Sequence, residues 1–181
     1  MTLLADVVTA SHEVADTRSR SRKVAILAEL LRRLDSDEIV PAVGFLAGLP
    51  RQGRVGVGYA TIYALEHDPA AEPSLTIADL DRAIAEIEET AGSGSAAARR
   101  RILGDLLARA TDDEAGFIRR LFTGELRQGA LAGLMIDAVA KAAAVPSDLA
   151  RRAFMLSGDL TRTAELALTA VSYTHLRAHE T

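Results

Sequence analysis

The chain has 181 residues, 49% of them hydrophobic, which is enough to fill one ordinary domain or two small units that share a core. With no cysteine it has no disulfide, no thiolate metal site and no thiol nucleophile, a composition that fits a reducing cytoplasm. The formal charge of −4 excludes a surface coated in positive potential, so any grip on nucleic acid must come from local basic clusters.

Aromatic residues are scarce, with no Trp, 3 Tyr and 4 Phe, while Ala, Leu, Arg and Glu dominate; this favours helices over sheet. Met1 to Ala10 is apolar but lacks a basic leader region and soon meets His12, Glu13 and Asp16, so it predicts an amphipathic helix. No apolar run reaches membrane-spanning length, and no membrane partner is expected. Shifting the sequence by 76 positions aligns Ile26–Gly53 with Ile102–Gly129 without a gap, and 11 of those 28 positions are identical. The chain therefore holds two copies of one unit, spanning about 4–76 and 80–152.

Each copy predicts helices. Ile26, Leu27, Leu30, Leu31 and Leu34 recur at helical spacing, as do Ile102, Leu103, Leu106 and Leu107. Asp35 or Ser36 in the first copy, and Thr111 in the second, can cap the following helix, which Gly48 or Gly124 can end through a left-handed residue. Asp35, Asp37, Glu38, Asp112, Asp113 and Glu114 then serve as helix N-terminal acids rather than cation ligands. HDPAAEPS at 67–74 is a turn-rich connection, Thr76 caps a helix with acids in its first turn, and AGSGS at 91–95 is a flexible joint. A further helix follows Pro146, from about Ser147 to Leu156. The expectation is a compact all-α domain of roughly ten helices and no sheet over residues 1–170, because short amphipathic helices bury their stripes only against each other. The last stretch, Val171–Thr181, breaks in composition and equals the translation of one reading frame of a transposase-end sequencing adaptor. It is expected to be a non-native tail, against a natural tail or a metal site from His175 and His179.

The loop that joins two helices in both copies reads GLPRQG at 48–53 and GELRQG at 124–129. Glycines let the main chain approach a phosphate, the next helix presents free N–H groups, and Arg51 and Arg127 add charge-assisted hydrogen bonds, with Arg54 beside the first. Such contacts carry no base information and imply sequence-independent, salt-sensitive binding along a minor groove. The alternative is that these are helix caps followed by solvated arginines on a helical-repeat scaffold that binds protein. Two basic runs, TRSRSRK at 17–23 and AAARRR at 96–101, open equivalent helices and touch phosphates through Thr17, Ser19, Ser93 or Ser95, or are solvated faces.

The stretch Asp112–Ala142, DDEAGFIRRLFTGELRQGALAGLMIDAVAKA, resembles the signature region in the N-terminal domain of ATP-dependent DNA ligases, bacterial type, where a helix ending in a GxLRxG turn leads into another apolar helix. The resemblance covers about Leu3–Ala170 and is looser in the first copy, where Pro50 replaces the leucine. It implies an all-helical domain that grips the minor groove around a nick, through Gly124, Arg127 and Gly129, and through Arg51 and Gly53; Gln128, Arg54 and Ser95 join them as candidate DNA contacts from the reading of the residues alone. It also implies a parent enzyme that joins 3′-hydroxyl and 5′-phosphate ends in repair, replication or recombination, using ATP and Mg²⁺ and acting as a cytoplasmic monomer on nicked duplex DNA.

No catalytic, cofactor or metal site is expected in this chain. The family's adenylated lysine stands in K-x-D-G, and the two lysines here begin KVA at Lys23 and KAA at Lys141, which implies truncation before the nucleotidyltransferase domain. Gly53, Gly56 and Gly58 form GRVGVG, the wrong order for a dinucleotide fingerprint. GK[ST], GxSxG and HExxH are absent, and His12 and His67 are simplest as surface residues.

Overall fold

A computed structural model describes the backbone of residues 1–53, 57–126 and 129–178, and the side chains of all these except 129–130 and 171–178. Among the described residues ten α-helices account for the fold: α1 (Leu4–Asp16), α2 (Arg20–Arg33), α3 (Ile39–Leu46), α4 (Tyr59–Tyr63), α5 (Ile77–Glu89), α6 (Ser95–Leu107), α7 (Asp112–Thr123), α8 (Gly129–Ala142), α9 (Ser147–Ser157) and α10 (Leu160–Ala178). The all-α expectation holds. The sole β feature among these residues is one antiparallel bridge, Leu3 with Thr76, which ties the start of α1 to the start of α5.

Helix starts follow local chemistry. Thr76 opens α5 and Thr111 opens α7, each through a capping box in which the Thr hydroxyl accepts from the third helical N–H and the acid there, Asp79 or Glu114, accepts from the Thr backbone N–H. The first copy departs from expectation: neither Asp35 nor Ser36 caps α3, whose N-cap position is Glu38 without a side-chain cap bond. Glu38 Oε2 instead accepts from Asp35 N–H at 3.1 Å, as Glu114 Oε2 accepts from Thr111 N–H at 2.9 Å, so matching glutamates brace both copies. The first copy lacks the threonine that would complete the box, and Thr2 takes its place, donating its N–H and hydroxyl to the two oxygens of Glu38 at 2.6 Å each.

One core unites the helices. Leu4 and Val7 of α1, Leu27 of α2, Phe45 of α3, Leu80 and Ile84 of α5, Leu107 of α6, Phe117 of α7 and Met135 of α8 are all buried in one cluster. Each such side chain contributes roughly 1.5–3 kcal/mol relative to exposure. Within a copy α1 packs on α2, and α5 on α6; between copies the partners are exchanged, α1 packing on α7 and α5 on α3, α2 on α8 and α6 on α4. α10 closes the assembly against α3, α8 and α9.

Glu38 is 4% exposed. Burial works against its charge, but the Thr2 hydroxyl, the Thr2 N–H and the Asp35 N–H outweigh burial and hold its carboxyl below the usual glutamate range. A folded value below the unfolded one means that this stabilisation is complete above about pH 4.3 and is lost as pH falls through the lowered folded value. Glu38→Gln replaces one acceptor by a donor facing donors, and is expected to cost roughly 1–3 kcal/mol at neutral pH and to flatten the acid limb of the stability profile. Urea unfolding at neutral pH and on the acid limb checks this; identical profiles for parent and variant would contradict it.

Candidate nucleic-acid interface

The two repeated turns are built by the same hydrogen bonds. In the first, Gly48 N–H donates to the Phe45 carbonyl at 3.0 Å and Leu49 N–H to the Gly44 carbonyl at 2.8 Å; in the second, Gly124 N–H donates to Leu121 at 3.3 Å and Glu125 N–H to Arg120 at 2.9 Å. This paired pattern is a Schellman motif, and it needs the left-handed residue that Gly48 (φ 67°) and Gly124 (φ 77°) supply. The following position is exposed in both copies, as Leu49 and Glu125, and the next is buried in both, as Pro50 and Leu126. Each turn is thus pinned to the core immediately before its RQG triplet.

In the first copy Gly53 N–H returns to the Pro50 carbonyl at 2.8 Å, leaving Arg51 and Gln52 at the tip of a tight turn. Arg51 does not stand free. Its Nε and Nη2 hold both oxygens of Asp81 on α5 at 2.6–3.0 Å, and Gln52 Nε2 donates to the Asp81 carbonyl at 3.1 Å and to its Oδ1 at 2.9 Å. The Asp81 carboxylate pushes the Arg51 guanidinium still further from deprotonation. Because Asp81 is only 15% exposed and Arg51 is 50% exposed, the acid lies beneath, and the bonds to it use the Nε and Nη2 edge of the fork.

The turns also lie near each other's outgoing helices. Ala47, Leu49, Pro50 and Arg51 line a cleft of about 540 Å³ with Ala132, one turn into α8, the helix that the second turn feeds. Conversely α4, which follows the first turn, packs on α7, and its Tyr63 phenol is pushed up by burial and by the Glu125 carboxylate in the second turn. Tyr59 and Tyr63 form an exposed aromatic pair there, with ring centroids 4.4 Å apart.

Of the residues singled out from the sequence, Gly124 and the start of α8 at Gly129 join the second turn, and Arg51 and Gly53 the first. Ser95 is placed at the start of α6 behind the left-handed Gly94, and among the described residues nothing brings it to the turns. Arg54, Arg127 and Gln128 lie outside the described residues. The basic run at 96–101 is partly committed: Arg99 donates to the Ile87 and Thr90 carbonyls at the end of α5. His12 and His67 are not idle surface residues, since Arg120 Nη2 lies 3.2 Å from His12 Nε2 and Arg119 Nη2 lies 3.1 Å from His67 Nδ1. Among the described residues no group of three or more His, Cys, Asp or Glu side chains is arranged to hold a metal ion, and no helix is long and apolar enough to cross a membrane.

An all-helical domain with a twice-used glycine-arginine turn is the class that fold and site define. Residues 60–140, a span that contains the second turn, match the family described as DNA ligase N terminus. Over that stretch the chain is similar to that family. It is 56% identical over 168 residues to a "Probable DNA ligase" of Saccharopolyspora erythraea, covering 93% of this chain and 33% of that protein. It is 49% identical over 165 residues to a "Probable DNA ligase" of Rhodococcus opacus (91% and 33%), and 51% identical over 169 residues to one of Anaeromyxobacter sp. strain K (92% and 33%). The chain spans about a third of the length of these relatives.

Gly44 carries no signal in the repeat, where its partner is Arg120, yet it fixes the first turn. A methyl group at Gly44 would stand 2.7 Å from the Leu49 carbonyl oxygen and 3.7 Å from the Arg51 nitrogen. Because the obstacle is backbone, Gly44→Ala must displace the turn, and a loss of roughly 1–3 kcal/mol is expected. Denaturant unfolding, together with faster hydrogen exchange at the Leu49 amide, checks this; an unchanged midpoint and unchanged exchange would contradict it.

Proposed function

We propose that this chain grips duplex DNA through its two GxxRQG turns, as the DNA-binding part of a ligase that seals nicks. The observation that carries this reading is the reciprocal placement of two turns that open with the same Schellman hydrogen bonds, each near the helix that leaves the other. Two such turns related by a pseudo-twofold, with units at about 4–76 and 80–152, offer main-chain donors and a guanidinium to each strand of a duplex, which itself has twofold symmetry. The contacts are to phosphate and sugar, so binding is independent of sequence and strongly dependent on salt. Gly124, Arg127, Gln128 and Gly129 on one side, and Arg51, Gly53 and Arg54 on the other, carry it. Ser95 has no supporting contact and contributes least.

For the whole protein we infer joining of 3′-hydroxyl and 5′-phosphate ends with ATP and Mg²⁺, in repair, replication or recombination. The nucleotide chemistry belongs outside this chain, because neither Lys23 nor Lys141 stands in K-x-D-G. The rival, a helical scaffold for protein, has one observation in its favour, the exposed Leu149, Met155 and Leu156 of α9.

Titration of a labelled nicked duplex with this chain across a salt series separates the two. Arg51→Ala and Arg127→Ala are each expected to weaken binding and to lower the slope of log affinity against log salt by about one, equally on unrelated sequences. With no Trp and 3 Tyr in the chain, tyrosine emission from a Tyr173→Phe background gives an independent readout of binding beside the turns. Absence of duplex binding, or binding indifferent to the Arg51→Ala, Arg127→Ala double variant, would sink the proposal.

A further inference from the structure

Away from the turns, α2, α8 and α9 enclose a shallow groove of about 730 Å³ whose lining includes Arg20, Ser21, Asp137, Lys141, Ser147 and Arg151. Asp137 is its floor. One carboxylate oxygen accepts from Arg20 Nη2 at 2.8 Å, and the other from Arg151 Nε and Nη2 at 3.1 and 2.7 Å. The acid is 13% exposed while the two guanidiniums are 62% and 56% exposed, so the cations sit above the charge that orients them. Burial opposes ionisation of Asp137, but the hydrogen bonds and charges of Arg20 and Arg151 prevail and hold its carboxyl below the usual range.

A tie between helices needs one arginine per carboxylate; a second arginine adds like-charge repulsion and leaves positive charge uncompensated. Lys141 adds more, for its exposed ammonium has no hydrogen-bond or ion-pair partner among the described residues. The starts of two long helices also open here, α2 at Arg20 and α9 at Ser147, and α9 has no side-chain cap on its first N–H groups. Asp148, in the first turn of α9, is not part of the groove lining. Pre-held guanidinium forks, a free ammonium, hydroxyls and uncapped N–H groups together suit an oxyanion.

We propose that this groove binds a phosphate of the DNA backbone, a contact additional to the repeated turns. The inference rests on the DNA-binding reading above and extends the track along α8. Gly129 ends the second turn and opens α8, and at 1.5 Å per residue Asp137 and Lys141 lie roughly 12 and 18 Å further on. At about 3.4 Å of axis per nucleotide on one strand, the groove is about four phosphates from the turn. Arg20 is close enough to this helix that a methyl placed on Gly133 would stand 4.0 Å from its Nη2.

The test uses the whole chain and a labelled nicked duplex long enough to extend past α9. Lys141→Ala and Arg151→Ala should each raise Kd about three- to tenfold at low salt and lower the log-log salt slope by about one, without regard to sequence. Lys141→Ala should leave thermal unfolding unchanged, because its ammonium holds no other side chain, and Arg151→Lys should keep the slope while losing the fork. If both alanine variants retain the parent slope while Arg51→Ala or Arg127→Ala lowers it, the groove is only a helix tie and the inference falls alone. If the parent fails to bind duplex, or the turn variants also have no effect, the DNA reading itself fails and this inference fails with it.

Discussion

The apolar stripes of the helices from both halves of the chain are buried in one shared core, and the remaining features of the molecule follow from that sharing. The equivalent helices α2 and α6 pack against the helices that follow the turns of the other copy, α8 and α4. With α8 and α4 held this way, the first turn lies beside α8, and α4 packs on α7, the helix that leads into the second turn. The seat of the first turn beside α8 is therefore a by-product of core formation. Leu27, Phe45, Leu107, Phe117 and Met135 in one cluster are what enforce it.

Within that frame the turns gain rigidity from short-range chemistry. Schellman bonds fix the chain direction at Gly48 and Gly124, and buried Pro50 and Leu126 anchor the next residues. Fixing a residue in one backbone well costs roughly 1–2 kcal/mol of entropy. A turn already ordered in the free protein does not incur that cost again on meeting a ligand. Asp81 and Asp137 do the same for side chains, the first lying under Arg51 and the second under Arg20 and Arg151, and each removes much of its partners' rotamer freedom.

Much of this was legible in the sequence where the cause was local. Thr76 and Thr111 capped their helices, Gly48 and Gly124 took left-handed conformations, and the helix after Pro146 began at Ser147, because each depends on residues within a turn of itself. What escaped depends on distant partners. Neither Asp35 nor Ser36 caps α3, and the Glu38 carboxylate at its start is held instead by Thr2, 36 positions away. Gly44 matters because Leu49 folds back on it, and Asp81 matters because α5 passes beneath the first turn. His12 and His67 face arginines of α7 that lie 108 and 52 positions on. Periodicity carries no information about such pairs.

The overall negative charge loses its weight against an anionic ligand once the acids are located. Glu38 and Glu114 are buried as braces at the starts of α3 and α7, Asp79 closes the box that opens α5, and Asp81 and Asp137 sit beneath arginines. Each of these carboxylates is spent on a backbone N–H or a guanidinium within 3.1 Å. Formal charge counts them equally with solvent-facing acids, yet their fields near the surface are largely cancelled by the donors they hold. The arginines above Asp81 and Asp137 stay half or more exposed, so at the first turn and in the α8 groove it is guanidinium rather than carboxylate that faces solvent.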